Sequence, residues 1–155
     1  MDTNDIFRRI RYIFNFSDDQ IIMIFGLADL IVSRAQISDW LKRDDDDAFR
    51  EMDDKTLATF LNGLITHKRG AKDGPKPIAE KRLNNNIVFR KLKIALNYKD
   101  EDILAIFKSV DLRIGKPELT AIFRNPKQKH YRVCRDQFLR NFLNGLQQKY
   151  RFKEV

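Results

Sequence analysis

The pentapeptide FLNGL occurs twice, at Phe60-Leu61-Asn62-Gly63-Leu64 and at Phe142-Leu143-Asn144-Gly145-Leu146. Each copy places a glycine inside a pattern that reads as helix, where it costs ~1 kcal/mol relative to alanine. Shifting the sequence against itself by 82 positions aligns residues 4–69 with residues 86–151 without a gap, and 19 of the 66 pairs are identical. A match of that length marks an internal duplication. Between the copies, GAKDGPKPIAEKRLNN has the glycine, proline and charge content of a connecting segment. The expected organisation is a first helical module over residues 1–69, a linker over 70–84 and a homologous second module over 85–155.

Each module resolves into the same four helices. Ile6, Ile10, Ile13 and Phe14 recur at helical spacing, and Val88, Leu92, Ala95 and Leu96 repeat them. A second helix opens on the capping box Ser17-x-x-Gln20 and carries Ile21, Ile24, Phe25 and Ala28, matched by Ile103, Ile106, Phe107 and Val110. A short third helix starts at Ser33-x-x-Gln36, or at Pro117 in the copy, where the missing amide hydrogen is harmless. The fourth begins near Asp53 and Asp136. Its buried stripe is Leu57, Phe60, Leu61 and Leu64, repeated as Leu139, Phe142, Leu143 and Leu146. Gly63 falls on the flank of that stripe, which marks the expected crossing of another helix. Asn62 points nearly opposite and is expected to be solvated, the other reading being a surface used by both modules. No strand pattern competes, so the fold class is all-α with pseudo-symmetric modules. Each module is marginal in size alone and should pack on its twin or dimerise.

Composition narrows the function. With 155 residues, 43% of them hydrophobic and twelve Phe among them, the chain can fill a core. No apolar run approaches the ~20 residues of a membrane span, and the first residues lack the pattern of a signal peptide, so no membrane contact and a cytoplasmic location are expected. The net charge of +8 is uneven: residues 1–70 hold 10 Lys/Arg against 13 Asp/Glu, and residues 71–155 hold 20 against 9. A basic half suits an acidic partner, or a second copy of the chain through its acidic half.

The candidate residues follow from that asymmetry. Arg8, Arg11 and Asn15 share the polar face of helix one, and Arg90, Lys93 and Asn97 repeat it. Two such stripes can contact successive phosphates, which requires only placed charge and donors. Arg124, Arg132 and Arg140 add to the second stripe, with Lys116, Lys127, Lys129 and Arg135 nearby. Tyr131, aligned with Phe49, reads as a core anchor. Tyr150, followed by Arg151 and Lys153, is open to either a buried or a stacking role. Helices two and three invite comparison with a helix-turn-helix reading through Gln36 to Arg43 or Glu118 to Arg124, but the mixed charges there make a weak motif. His130 and Cys134 are too few for a zinc site, and Cys134, aligned with Met52, reads as a small apolar anchor. The acidic residues 44–47 lack the glycine and distal glutamate of a calcium loop, and their copy at 126–129 is basic. No catalytic motif appears, so no metal, no cofactor and no enzymatic activity are expected.

FLNGLITHKRG, NNNIVFRKLKIALNYKDEDILAIF and CRDQFLRNFLNGL resemble the corresponding stretches of the YehS-like bacterial family, domain of unknown function 1456, over essentially the whole chain. The resemblance implies a small, cytosolic, duplicated, all-helical bacterial protein and supplies no catalytic residues. The expected function is non-catalytic binding of nucleic acid, RNA or a ribonucleoprotein, through basic helix faces. The alternative is a protein-protein adaptor assembling through complementary acidic and basic modules, with itself or with an acidic protein.

Overall fold

The computed structural model describes residues 1–151, so Lys153 lies outside the described residues. The elements are α1 (Thr3–Phe14), α2 (Asp18–Leu27), α3 (Arg34–Leu41) and α4 (Asp54–Arg69), then α5 (Asn85–Leu96), α6 (Asp100–Lys108), α7 (Lys116–Ile122) and α8 (Asp136–Tyr150), with no strand among the described residues. The capping boxes at Ser17 and Ser33 form as expected, each serine accepting from the glutamine amide three residues on. Asp2 caps α1 and Asp53 caps α4 in the same way.

Several of the identical pairs fix the turns. Asn15 (φ 54°) and Asn97 (φ 55°) end α1 and α5 in the left-handed conformation, and Asp29 (φ 63°) and Asp111 (φ 60°) hold it after α2 and α6. Short polar side chains tolerate that conformation better than most. The expected phosphate-gripping role of Asn15 and Asn97 is therefore joined by a structural one that explains why both copies keep asparagine.

The core runs through both modules, with an aromatic cluster at the centre of each. Phe7, Phe25 and Phe60 pack together with Trp40 in the first, and Phe89, Phe107 and Phe142 repeat the trio in the second. Ile122 takes the place of Trp40, and Phe123 and Phe138 make up the aromatic contact around Phe89. The repeated glycine lies where α2 crosses α4 and α6 crosses α8: a methyl on Gly63 would fall 2.0 Å from the Ile24 carbonyl oxygen, and one on Gly145 2.7 Å from that of Ile106. Ile24 and Ile106 are themselves a repeat pair.

The modules pack on each other reciprocally, with helix one of each against helix four of the other: α1 on α8 and α4 on α5. Arg9 Nη2 donates to Asn144 Oδ1 at 2.7 Å, and Lys91 Nζ donates to Asn62 Oδ1 at 2.6 Å. Arg9 and Lys91 are 82 apart, as are Asn62 and Asn144, so one contact is made twice, as in an isologous dimer folded into one chain. A further pair obeys the same rule: the Met1 ammonium meets Asp136 at 2.7 Å and the Leu83 amide meets Asp54 at 2.8 Å. Asn62 is thus not solvated. It is 7% exposed, because the face opposite the helix-four stripe is covered by the other module. Tyr150 also belongs to this seam, its hydroxyl bonded to Tyr98 at 2.6 Å and its ring against Phe14.

Candidate nucleic-acid interface

The segment joining α7 to α8 carries the basic residues and is held from beneath by a buried asparagine. Asn86 Nδ2 donates to the carbonyls of Ile122 (3.0 Å) and Arg132 (2.8 Å), and its Oδ1 accepts from the Cys134 amide (2.8 Å). Asn4 does the same in the first module, with Trp40, Arg50 and Met52. Sequence reasoning missed this clamp, whose signal was a polar residue on an otherwise apolar stripe one turn before Phe7 and Phe89. Above the clamp, Asn125 and Gln128 bond each other's backbone, and His130 takes a positive φ of 66°. Lys127 and Lys129 are left exposed, with no acidic partner among the described residues.

Arg90 on α5 reaches this segment, its Nη2 donating to the Phe123 carbonyl at 3.1 Å. Lys93 lies over the Phe123 ring at 4.3 Å and pairs with Asp100 at 3.0 Å. Arg124 donates to the Lys129 carbonyl at 3.3 Å. Arg90 and Lys93 therefore meet at Phe123, with Arg124 next to it in the chain.

The first module uses the same scaffold with the opposite electrostatics. Arg8, the counterpart of Arg90, bonds the Lys42 carbonyl at 2.6 Å, pairs with Asp5 at 3.0 Å and has Asp44 at 3.6 Å. The residues 82 positions beyond those two aspartates are Ile87 and Pro126, so Arg90 bonds one carbonyl, that of Phe123, a residue before the counterpart of Lys42, and loses both carboxylates. Arg11 pairs with Asp18 at 3.5 Å, as Lys93 does with Asp100. The stripe of α1 is thus largely neutralised by its own module, and that of α5 only in part.

The remaining candidates separate. Arg132 pairs with Glu118 at 3.3 Å on the far side of α7. Arg140 lies with Arg8 and Arg9 beside the seam of α1 and α8, apart from the Phe123 cluster. Burial, and then the Arg140 charge, hold the Arg9 guanidinium below its ordinary pKa. Tyr131 is half-buried in the basic segment. The helix-turn-helix comparison weakens further, since six residues separate α2 from α3 and Gln36 is spent capping α3. Cys134 is buried and its thiol is pushed up to about 12 by burial and then by Asp136, so it is protonated at neutral pH. Among the described residues no group of three His, Cys, Asp or Glu is placed to hold a metal, and no helix is long and apolar enough to cross a membrane.

Fold and surface together define a duplicated, all-helical protein whose two modules share one scaffold and differ in charge. The chain belongs to the family described as protein of unknown function (DUF1456), which matches it twice, at residues 3–70 and 85–151. It is 45% identical over 148 residues to the uncharacterized protein YehS of Escherichia coli (strain K12), covering 94% of each chain. No solved structure matches it.

Proposed function

We propose that the protein is a non-catalytic binder of single-stranded nucleic acid, RNA first, and that the second module makes the contact through Arg90, Lys93, Arg124, Lys127 and Lys129. The observation that carries this reading is the pair of substitutions that strips Arg90 of the carboxylates holding Arg8. A guanidinium bonded only to a carbonyl keeps most of its fork of donors for a phosphate. Tyr131, half-buried on the same segment, offers part of a ring for stacking. The reading places the protein in the cytoplasm, with RNA or a ribonucleoprotein as its partner.

A second reading rests on the reversed loops: the acidic residues 44–47 of one copy of the chain can meet the basic residues 126–129 of another, giving a self-assembling adaptor. The two separate on naked nucleic acid. Fluorescence anisotropy of the nuclease-treated protein with a short single-stranded RNA should show binding whose logarithmic salt slope is about −3.5, from five phosphate contacts at ~0.7 each. Duplex DNA should bind more weakly. No RNA binding even at low salt, with self-association detected in the same buffer by sedimentation, would move the assignment to the adaptor.

A further inference from the structure

Where α4, the connecting segment and α5 meet, the fold departs from its own symmetry. A groove of about 400 Å³ lies there, within the range of small-molecule sites. At its inner end Asn62, 7% exposed, accepts from Lys91 through Oδ1, while its Nδ2 donates to nothing among the described residues. Beside it Glu80 Oε1 is ion-paired with Lys91 Nζ at 3.0 Å. The wall is apolar, formed by half-buried Ile65, Ile87 and Ile94. At the mouth Arg69, Lys72 and Arg90 are exposed and have no carboxylate partner among the described residues. The symmetry-related place between α8 and α1 keeps Asn144, Arg8 and Arg151 but has no such wall: Gln147, Asp5 and Tyr12 replace the three isoleucines.

We infer that this groove binds a nucleotide, a ligand that goes beyond the basic face of the second module and shares only Arg90 with it. A nucleotide is flat and apolar on its faces, carries donors and acceptors on its base edge, and ends in an anion. Those three parts match the isoleucine wall, the Asn62 and Glu80 end, and the cationic mouth. A fatty acid would leave Asn62 Nδ2 facing hydrocarbon without a partner, and inorganic phosphate has no use for the wall. The nucleotide is either free or the terminal unit of a strand lying on the basic segment. The chemistry is the same in both.

The test is a nitrogen-15 NMR titration of the full chain with each of the four common nucleoside 5′-monophosphates, with decanoate and inorganic phosphate as controls. Nucleotides should move the amides of Asn62, Thr66, Ile87 and Lys91 with a dissociation constant on the order of 0.1–1 mM. Ile65→Trp, which fills the groove, should weaken binding about tenfold or more, and Arg69→Gln, an exposed change at the mouth, about threefold. A 5′-phosphorylated RNA pentamer separates the sources: tighter binding at the same amides assigns a strand end, and weaker binding assigns the free nucleotide. The inference is overturned if no nucleotide moves these amides at about 5 mM, if decanoate or phosphate moves them equally, or if both variants bind like wild type. Loss of RNA binding on the basic segment would leave the nucleotide shifts intact, whereas failure of the groove would leave Lys93, Arg124, Lys127 and Lys129 responding to RNA.

Discussion

Gly63→Ala should destabilise the protein by about 3 kcal/mol or more, although alanine is the better helix former by ~1 kcal/mol. The added methyl lands 2.0 Å from the Ile24 carbonyl oxygen and 2.9 Å from its carbon. Both are backbone atoms, so no rotamer change relieves the overlap. Helix α2 has to back away from α4, which opens the Phe7, Phe25 and Phe60 cluster. Gly145→Ala should cost less, because its nearest obstacle at 2.4 Å is the Ile106 Cγ2 methyl, a side-chain atom, and the carbonyl stands at 2.7 Å. Urea unfolding of the two variants checks both the sign and the order. An exposed glycine would give the opposite sign, a gain in stability.

Asn86→Ala should cost about 3 kcal/mol, since it removes three hydrogen bonds and leaves two carbonyls and one amide of the α7–α8 segment without partners. Asn86→Asp supplies a second check with a distinct pH dependence. The carboxylate can still accept from the Cys134 amide but faces the Ile122 and Arg132 carbonyls, and burial disfavours its charge. Its pKa in the folded state is then raised above the unfolded value, the folded state binds more protons, and the variant gains stability as pH falls. Wild type has no such gain from this site. Because the asparagine anchors the segment that bears Arg124, Lys127 and Lys129, loosening it should weaken RNA binding as well as stability.

The repeat, the serine caps and the meaning of the two glycines were legible in the sequence, because each is encoded by residues within a turn or two of one another or by the 82-residue register, whereas Ala28 and Val110, read onto the second helix of each module, fall just past the ends of α2 and α6. What lay beyond it was set by distant partners. Helical spacing shows that Asn62 leaves the buried stripe of α4, but not that α5 covers the opposite face and buries it. Counting charge shows a basic stripe on each first helix. It does not show that Asp44, on a loop far along the chain, folds back to neutralise Arg8, or that proline stands in its place at 126. The clamps at Asn4 and Asn86 join segments far apart in the chain, and their one local trace is a polar residue on an otherwise apolar stripe. Residues kept between the copies mostly report architecture, and residues that changed report where the two surfaces went separate ways.

That difference gives the account its sharpest test: RNA affinity and salt slope for Arg90→Gln beside Arg8→Gln, with helicity and unfolding midpoint measured on each. The account predicts that Arg90→Gln weakens binding about five- to tenfold and reduces the slope by about 0.7, while Arg8→Gln leaves both within about twofold of wild type. Equal losses in the two variants, or a larger loss in Arg8→Gln, would contradict it.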